Sequence, residues 1–267
     1  MSSQRDLRVS LKSYLKELRL TQIEQRYEEH ARRAEKESLS YERYLYELVG
    51  QEYEVRQGNR IERLLKESKL PLEKSFDSFD KKRIPRKVIQ VVDLLTEGTF
   101  LDRKENVLAF GNPGSGKTHL LCAIGQELIR QQVRKVYFTP CSLLVQELLK
   151  AKKDLRLARV LKKFSRYDAL IIDDIGYVQQ DRQEMEVLFT LLADRYERGS
   201  IMLSSNLPFS KWEKIFKDPM VTAAAIDRLV HHSVILELNI SSFRMEKARK
   251  SKDATKCVDK KGIDLEG

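Results

Sequence analysis

The chain has 267 residues, of which 41% are hydrophobic and 34% are charged, and its formal net charge is +10 at pH 7. This length and balance predict one large globular domain, or one domain with a smaller appendage, and they exclude a disordered chain. The basic excess favours a polyanionic partner such as nucleic acid, because Lys and Arg side chains release counterions when they neutralise phosphates.

The sequence carries no signal for export or for membrane insertion. Its first 18 residues have charges every few positions, and no apolar stretch approaches the ~20 residues of a membrane span. The 3 cysteines lie far apart and form neither a Cys-x-x-Cys pair nor a zinc spacing with the 4 histidines. We therefore expect a cytoplasmic protein without membrane association, whose thiols are reduced and structural.

The N-terminal region is predicted to be entirely helical. Apolar residues recur at helical spacing from Leu7 to about Lys69, with no proline and with no glycine before Gly50. This pattern predicts a helical domain over residues 1–72. Four of its residues form a stripe that is expected to face the core: Tyr41, Tyr44, Leu45 and Leu48.

After Pro71 the pattern changes to short apolar runs that alternate with helical stretches. The runs are VLAF (107–110), KVYF (135–138), ALII (169–172), IMLSS (201–205) and VILEL (234–238). Nearly continuous apolar strands are typical of a parallel sheet with helices on both faces. We predict an α/β domain over residues 73–250, followed by a flexible tail over 251–267.

A glycine-rich stretch, GNPGSGKT (111–118), connects the first of these strands to a helix. The spacing Gly-x4-Gly-Lys-Thr in this position predicts a phosphate-binding loop, whose backbone N–H groups and helix N-terminus attract anions. Lys117 would reach the β and γ phosphates of a nucleotide, and Thr118 would bind Mg²⁺. The predicted nucleotide-binding residues are Gly111, Asn112, Pro113, Gly114, Ser115, Gly116, Lys117, Thr118 and His119.

Two acids follow the apolar strand in DALIIDDIG (168–176). Asp173 is predicted to complete the Mg²⁺ site with Thr118, and Asp174 to polarise the attacking water as a base. Adjacent acids also occur in helix caps and solvated turns. Their position after a strand and downstream of the phosphate loop favours the catalytic interpretation.

Asn206 directly follows the strand IMLSS and is a further candidate site residue. Its amide would face the same edge of the sheet as Lys117 and Asp173, where it could orient the water or contact the γ phosphate. A turn residue before Pro208 explains the same asparagine equally well.

A basic segment, residues 142–164, mixes cations with leucines. The leucines can pack on the sheet while the cations face outward, and either a solvated face or a nucleic-acid contact fits this pattern. Its cations include Lys150, Lys152, Lys153, Arg156, Arg159, Lys162 and Lys163.

Taken together, the motifs resemble the AAA+ ATPases of the initiator branch, and more narrowly the IstB-like transposition helper ATPases of insertion sequences, which are related to the DnaC helicase loaders. The resemblance is carried by GNPGSGKTHL, LIIDDIGY, SSNLPFSKW and AIDRLVHHSVILEL. The stretches LKELRLTQIEQRY and YERYLYELVGQEYEVRQGNRIERLLKESKLP are similar to the family's helical N-terminal region. The resemblance covers nearly the whole chain and implies an AAA+ fold.

The resemblance also implies roles for single residues. Asn206 would be the sensor of the γ phosphate, Arg228 an arginine finger placed in a neighbouring subunit's site, and Arg244 a second sensor arginine. From the sequence alone, a surface ion pair is the favoured explanation of Arg228. Two departures matter, since Asp174 stands where the family often has Glu, and Ile240 stands where it tends to have Gly. We therefore expect slower hydrolysis, and the orientation of Arg244 stays open.

The function implied is an ATPase that uses ATP and Mg²⁺, forms a homo-oligomer with active sites between subunits, and assembles on double-stranded DNA. The basic segment would contact the DNA backbone through Lys150, Lys152, Lys153, Arg156 and Arg159, and the helical N-terminal domain would bind DNA or a partner and support self-assembly. The assembly would deform target DNA and assist a cognate transposase. A replicative helicase loader of the DnaC type is the nearest alternative, and a small-molecule P-loop kinase and a non-hydrolysing nucleotide-dependent adaptor are more distant ones.

Overall fold

The computed structural model describes residues 4–80, 83–176, 182–212, 219–240 and 242–243. The chain divides into two compact units, Met1–Arg63 and Leu64–Gly267. The predicted tail, 251–267, lies outside the described residues. The functional division at residues 72 and 73 stays a prediction.

The first unit is helical. Helices α1 (Gln4–Glu17) and α2 (Thr21–Lys36) precede α3 (Tyr41–Ser68), which begins in this unit. The core of the unit contains Leu15, Ile23, Tyr27 and Leu48, with Tyr44 packed against them. Within the described residues, no helix is both long enough and apolar enough to cross a bilayer.

The stripe that was expected to face this core is divided between two faces of α3. Leu48 is buried and Tyr44 is half-buried, whereas Tyr41 is 93% exposed and Leu45 57% exposed. The prediction is therefore wrong for Tyr41 and Leu45. The physical reason is the helical period: each pair is spaced four residues apart, and the two pairs are offset by about 60° around the helix.

The acidic side chain of Glu52, on α3, binds the first turn of α2. Its Oε2 accepts the backbone N–H groups of Gln22 at 2.7 Å and Ile23 at 3.3 Å. The residue at the helix cap, Leu20, provides no side-chain acceptor. Burial raises the pKa of Glu52, but the hydrogen bonds from Arg56 and from the two N–H groups outweigh burial and lower the pKa below 4.5.

The second unit is an α/β domain, as predicted. Its strands are β1 (Asn106–Gly111), β2 (Val136–Pro140), β3 (Ala169–Ile175), β4 (Ser200–Ser205) and β5 (Ser233–Leu238). Its helices are α4 (Arg86–Thr96), α5 (Thr99–Asp102), α6 (Lys117–Gln132), α7 (Cys141–Lys153), α8 (Leu157–Phe164), α9 (Arg182–Arg195) and α10 (Pro219–Val230), and a 3₁₀ turn spans Phe209–Lys211. All strands are parallel, in the order β2-β3-β4-β1-β5.

Alternate strand residues face opposite sides of the sheet. Leu170 and Leu203 belong to the core formed with α7, α9 and α10. On the other face, α6 approaches so closely that a Cβ added at Gly125 would lie 2.8 Å from Ile171 Cδ1. Because β4 lies between β3 and β1 and all three strands are parallel, their carboxyl ends bring the glycine-rich loop, the two acids and Asn206 to one edge.

A buried arginine on α9 binds backbone carbonyl groups at the amino ends of β3 and β4, at the edge of the sheet away from the glycine-rich loop. Arg195 is 2% exposed. Its guanidinium donates to the carbonyl oxygens of Phe164 at 2.9 Å, Tyr167 at 3.1 Å, Asp168 at 3.3 Å and Ser200 at 3.0 Å. Burial lowers the pKa of Arg195 to about 10, so the side chain is still charged at neutral pH. These bonds fix the entry into β3 and β4.

Two of the cysteines, Cys122 and Cys141, are buried. Burial raises the pKa of Cys122 to about 12, so this thiol is neutral and unreactive at physiological pH. Cys257 lies outside the described residues.

Candidate nucleotide-binding site

The glycine-rich loop is a tight turn between β1, which ends at Gly111, and α6, which begins at Lys117. Gly114 and Gly116 have φ values of 77° and 92°, which side chains with a Cβ rarely adopt. A Cβ added at Gly116 would also lie 3.2 Å from the ring of Phe79. Backbone N–H groups in such a turn form an anion-binding concavity, to which the N-terminus of α6 adds its positive dipole end.

The side chains of the loop fit an anionic ligand as well. Lys117 is buried, and its Nζ donates to the carbonyl oxygens of Gly111 and Asn112, both at 2.9 Å. Ser115 Oγ is buried and has no hydrogen-bond partner among the described residues. A buried ammonium beside an unsatisfied hydroxyl is an arrangement that a phosphate chain would complete.

The two acids lie at an irregularity in β3. The register against β4 shifts between Ile172 and Ile175, and Asp174 has a φ of 63°. Asp173 Oδ1 accepts a hydrogen bond from Thr118 Oγ1 at 2.7 Å. The structure therefore brings the predicted metal ligands, Thr118 and Asp173, into direct contact, and their oxygen atoms suit Mg²⁺.

Two residues of β4 and its following turn hold the acids in place. Ser204 Oγ donates to Asp173 Oδ1 at 2.6 Å and accepts the backbone N–H of Asp174 at 2.8 Å. Asn206 Nδ2 donates to Asp174 Oδ1 at 2.9 Å. Asn206 was predicted from the sequence, whereas Ser204 was missed. Ser204 could have been identified from the sequence as a polar residue at the carboxyl end of an otherwise apolar strand.

A cavity of about 330 Å³ extends from the loop, and its lining includes Asp174, Ser204 and Asn206. Apolar side chains line it as well, beside the charged Asp80 and Arg83: these are Phe79, Ile84, Ile240 and Phe243. No site residue was predicted from the sequence in the segment 75–87, which lies shortly after the change of pattern at Pro71. Aromatic residues in a segment without helical or strand periodicity were the available signal.

His119, predicted in the nucleotide site, lines the cavity from the first turn of α6. Its Nε2 lies 2.8 Å from the carbonyl oxygen of Ser75, so this nitrogen carries the proton that is donated. Its ring centroid is 4.9 Å from that of Phe79. His119 thus joins the start of α6 to the segment 75–79.

Arg228 does not line the cavity. Its NH1 donates to the carbonyl oxygen of Ala224 at 3.0 Å, and its guanidinium lies 4.8 Å from the ring centroid of Phe189. The backbone oxygen of Arg228 accepts a hydrogen bond from Asn106, at the amino end of β1 and thus at the edge opposite the loop. Within the described residues Arg228 forms no ion pair. Arg244 lies outside the described residues.

The basic segment forms α7 and α8, which connect β2 to β3. Leu144 and Leu148 are buried beneath it. Lys152 pairs with Glu186, and Lys163 pairs with Glu147, both at 2.8 Å. The remaining cations of the segment are exposed and have no ion pair among the described residues: Lys150, Lys153, Arg156, Arg159 and Lys162.

Comparison with known proteins identifies the family. The family model of the IstB-like ATP binding protein matches residues 13–251. The chain belongs to this family. An insertion sequence ATP-binding protein of Sinorhizobium fredii is 41% identical, over 89% of this chain and 80% of the relative. The IS21 ATP-binding protein of Pseudomonas aeruginosa is 36% identical, over 92% of each.

Solved structures show the same fold. The DnaC helicase loader superimposes with a TM-score of 0.54 at 15% identity, covering 62% of this chain and 96% of that one. The predicted fold class, an AAA+ P-loop core preceded by a helical region, is therefore confirmed.

Proposed function

We propose that this protein is a Mg²⁺-dependent ATPase that, in its ATP-bound and assembled state, binds and deforms double-stranded DNA to assist a cognate transposase. The observation that carries the proposal is the convergence of Lys117, Thr118 and Asp173 beside a cavity of about 330 Å³. The family description and the names of the relatives, which are ATP-binding proteins of insertion sequences, support the same conclusion.

In this proposal the loop 111–116 and Lys117 bind the phosphate chain, and apolar side chains of the cavity lining contact the purine base. Thr118 and Asp173 hold Mg²⁺ through oxygen atoms that already lie together. Bound Mg²⁺ supplies positive charge that offsets the charge developing on the phosphoryl oxygens. Phe79 and Ile84 are apolar side chains of the lining against which the base can pack.

Asp174 acts as the base that accepts a proton from the attacking water. Its backbone is held by Ser204 and its carboxylate by Asn206, so the position of the carboxylate is set before the reaction. Its side chain is one methylene shorter than that of glutamate, and we expect slow turnover. Arg228 does not line the cavity of its own chain. The Arg228 of an adjoining protomer supplies the positive charge that completes the site.

The exposed cations of α7 and α8 contact DNA phosphates, which position the protein without reading bases.

A helicase loader of the DnaC type would share the same ATPase core, and the likeness to the DnaC structure bears on the fold alone. The insertion sequence relatives favour transposition. Offering both a replicative helicase and the transposase of the same element to the full-length protein separates the two, and retention of the helicase alone would overturn our choice.

We predict that DNA binding by the full-length protein requires ATP and weakens steeply with salt. Fluorescence anisotropy with a labelled duplex should show at least about tenfold tighter binding with ATP and Mg²⁺ than without nucleotide. If the five unpaired cations each neutralise one phosphate, log affinity falls against log salt with a slope of about −4 to −5 per protomer.

The variant Lys117→Ala should lose nucleotide binding by about a hundredfold, because a charge-assisted contact to the phosphates is removed. It should therefore bind DNA equally weakly with and without ATP. Lys135→Ala, which removes an exposed lysine outside the cavity, is the matched control. Equal DNA affinity of the wild-type protein with and without ATP would contradict the proposed switch.

A further inference from the structure

Leu155 lies in the turn between α7 and α8 and is 95% exposed, the highest value among the large hydrophobic residues that the structure describes. Exposing a whole leucine side chain to water is unfavourable, and nothing in the described part of the fold covers it. An isolated apolar residue on a surface needs no explanation by itself. Its immediate surroundings are what suggest a role.

The turn holds this side chain in a defined position. Leu155 has a φ of 54°, its N–H donates to the carbonyl oxygen of Lys152 at 3.1 Å, and the N–H of Arg156 donates to that of Ala151 at 2.7 Å. This pair of bonds is the helix-ending motif in which glycine is the usual left-handed residue. Because α7 is anchored by buried Leu144 and Leu148, the leucine stands on a fixed support.

Cations that form no ion pair with any described residue lie on both sides of the turn. Lys150 and Lys153 lie before it on α7, and Arg156 and Arg159 follow it. One acid, Asp154, is adjacent and exposed, and the cations outnumber it. Side chains of this charge bind the phosphates on either side of a DNA groove, and the residue between them then faces the groove itself.

We propose that Leu155 is a wedge that enters the minor groove of duplex DNA and partly unstacks one base step. Apolar side chains of this kind separate neighbouring base pairs and kink the duplex toward the major groove. The cost of unstacking is lowest at pyrimidine–purine steps, so the kink should occur at TA or CA steps. This inference rests on the proposed DNA binding, and it assigns the deformation of DNA to one side chain.

The test uses the full-length protein with ATP and Mg²⁺ and a set of duplexes with 2-aminopurine placed at single TA steps. Wild-type protein should raise the 2-aminopurine fluorescence several-fold at one step, because the unstacked base is no longer quenched. Leu155→Ala should leave it at the level of free DNA, whereas Leu155→Met, which keeps an apolar wedge, should retain the increase. Leu143→Ala, at an exposed leucine near the start of α7, is the matched control and should behave as wild type.

A competition assay supplies a second readout. Wild-type protein should prefer a duplex with a central mismatch by about tenfold, since less stacking is lost there, and Leu155→Ala should show no preference. The salt slope of Leu155→Ala should equal that of wild type, because the phosphate contacts are unchanged. Leu155→Gly, which suits the left-handed backbone, should give the same result as Leu155→Ala and excludes an effect of backbone strain.

Several results would overturn the wedge. One is an increase in fluorescence with Leu155→Ala as large as that of wild type. Another is tight, ATP-dependent binding by wild type without any unstacking, which would leave the proposed DNA binding intact. A third is loss of self-association by Leu155→Ala in light scattering, which would make Leu155 a contact between copies of the chain. Failure of the wild-type protein to bind DNA at all would instead refute the proposed function.

Discussion

The hydroxyl of Ser204 connects both acids of the candidate site. It donates to Asp173 Oδ1 and accepts the N–H of Asp174, and it is 1% exposed. Without this hydroxyl, Asp173 Oδ1 would keep the hydrogen bond from Thr118 but lose the one from Ser204. The Asp174 N–H would lose its hydrogen bond to Ser204 Oγ. We infer that Ser204 is a positioning residue, since it acts through the two carboxylates and would not touch the reacting atoms.

We predict that Ser204→Ala lowers kcat for ATP hydrolysis about tenfold while changing nucleotide affinity less than about threefold, because a buried hydrogen-bond network to a charged group is broken. Steady-state phosphate release and equilibrium nucleotide binding measure the two effects. Ser205→Ala is the matched control, since Ser205 is equally buried but its hydroxyl donates to the carbonyl oxygens of Ile175 and Leu207. A similar fall in kcat in both variants would reduce Ser204 to a structural role.

At the scale of whole elements, the first unit shows how one helix can stabilise the end of another. Helix α2 begins after Leu20, which has no side chain able to cap it, and Glu52 of α3 provides the missing acceptor. A carboxylate at this position satisfies two N–H groups and interacts favourably with the helix dipole. The packing of α2 on α3 therefore depends on a charge as well as on apolar contacts.

We predict that Glu52→Gln destabilises α2 by about 1 kcal/mol at neutral pH, because the charge-assisted cap becomes a neutral one. Amide hydrogen exchange across α2 in the full-length protein should be about fivefold faster. The pKa of Glu52 is lowered in the folded state, so this stabilisation is present above about pH 4.5 and is lost as the pH falls through the folded-state pKa. Glu54→Gln, an exposed acid on the same helix, should exchange like wild type, and a change of the same size there would argue against the cap.

At the scale of the whole molecule, we propose that a neighbouring chain completes the candidate site. Lys117, Thr118, Asp173, Asp174 and Asn206 come together at one edge of the sheet, whereas Arg228 lies toward the other. A permanently charged side chain that stacks on Phe189 and has no ion pair among the described residues is available for another molecule. This arrangement supports assembly in which each protomer completes its neighbour's site.

We predict that Arg228→Ala and Asp174→Asn each bind ATP but turn it over at least about a hundredfold more slowly than wild type. Asparagine tolerates the left-handed backbone of Asp174, so the second variant removes only the charge. Mixed in equal amounts, the two inactive variants should recover up to about one quarter of the wild-type rate, because some interfaces then combine an intact Arg228 with an intact Asp174.

Phosphate release by each variant alone and by a titrated mixture measures this recovery. A mixture no more active than the sum of its parts would contradict the shared site. Retained turnover by Arg228→Ala alone would remove the assignment of the arginine finger.

The sequence alone determined the features that consecutive residues encode. The five strands, the α/β class, the glycine-rich turn and the acids near the carboxyl end of β3 could all be predicted, since each depends on local spacing and on a run of one residue type. The contact between Thr118 and Asp173 could also be predicted, because the carboxyl ends of parallel strands in one sheet lie at the same edge.

Only the tertiary structure decided the features that depend on residues distant in the chain. Ser204 contacts acids 31 and 30 residues away, and Glu52 caps a helix that begins 31 residues before it. The packing of neighbouring elements decides which face of α3 is buried. It also leaves Leu155, in the turn between α7 and α8, exposed. Periodicity identifies an apolar face, but the geometry of packing decides which residues of that face lose contact with water.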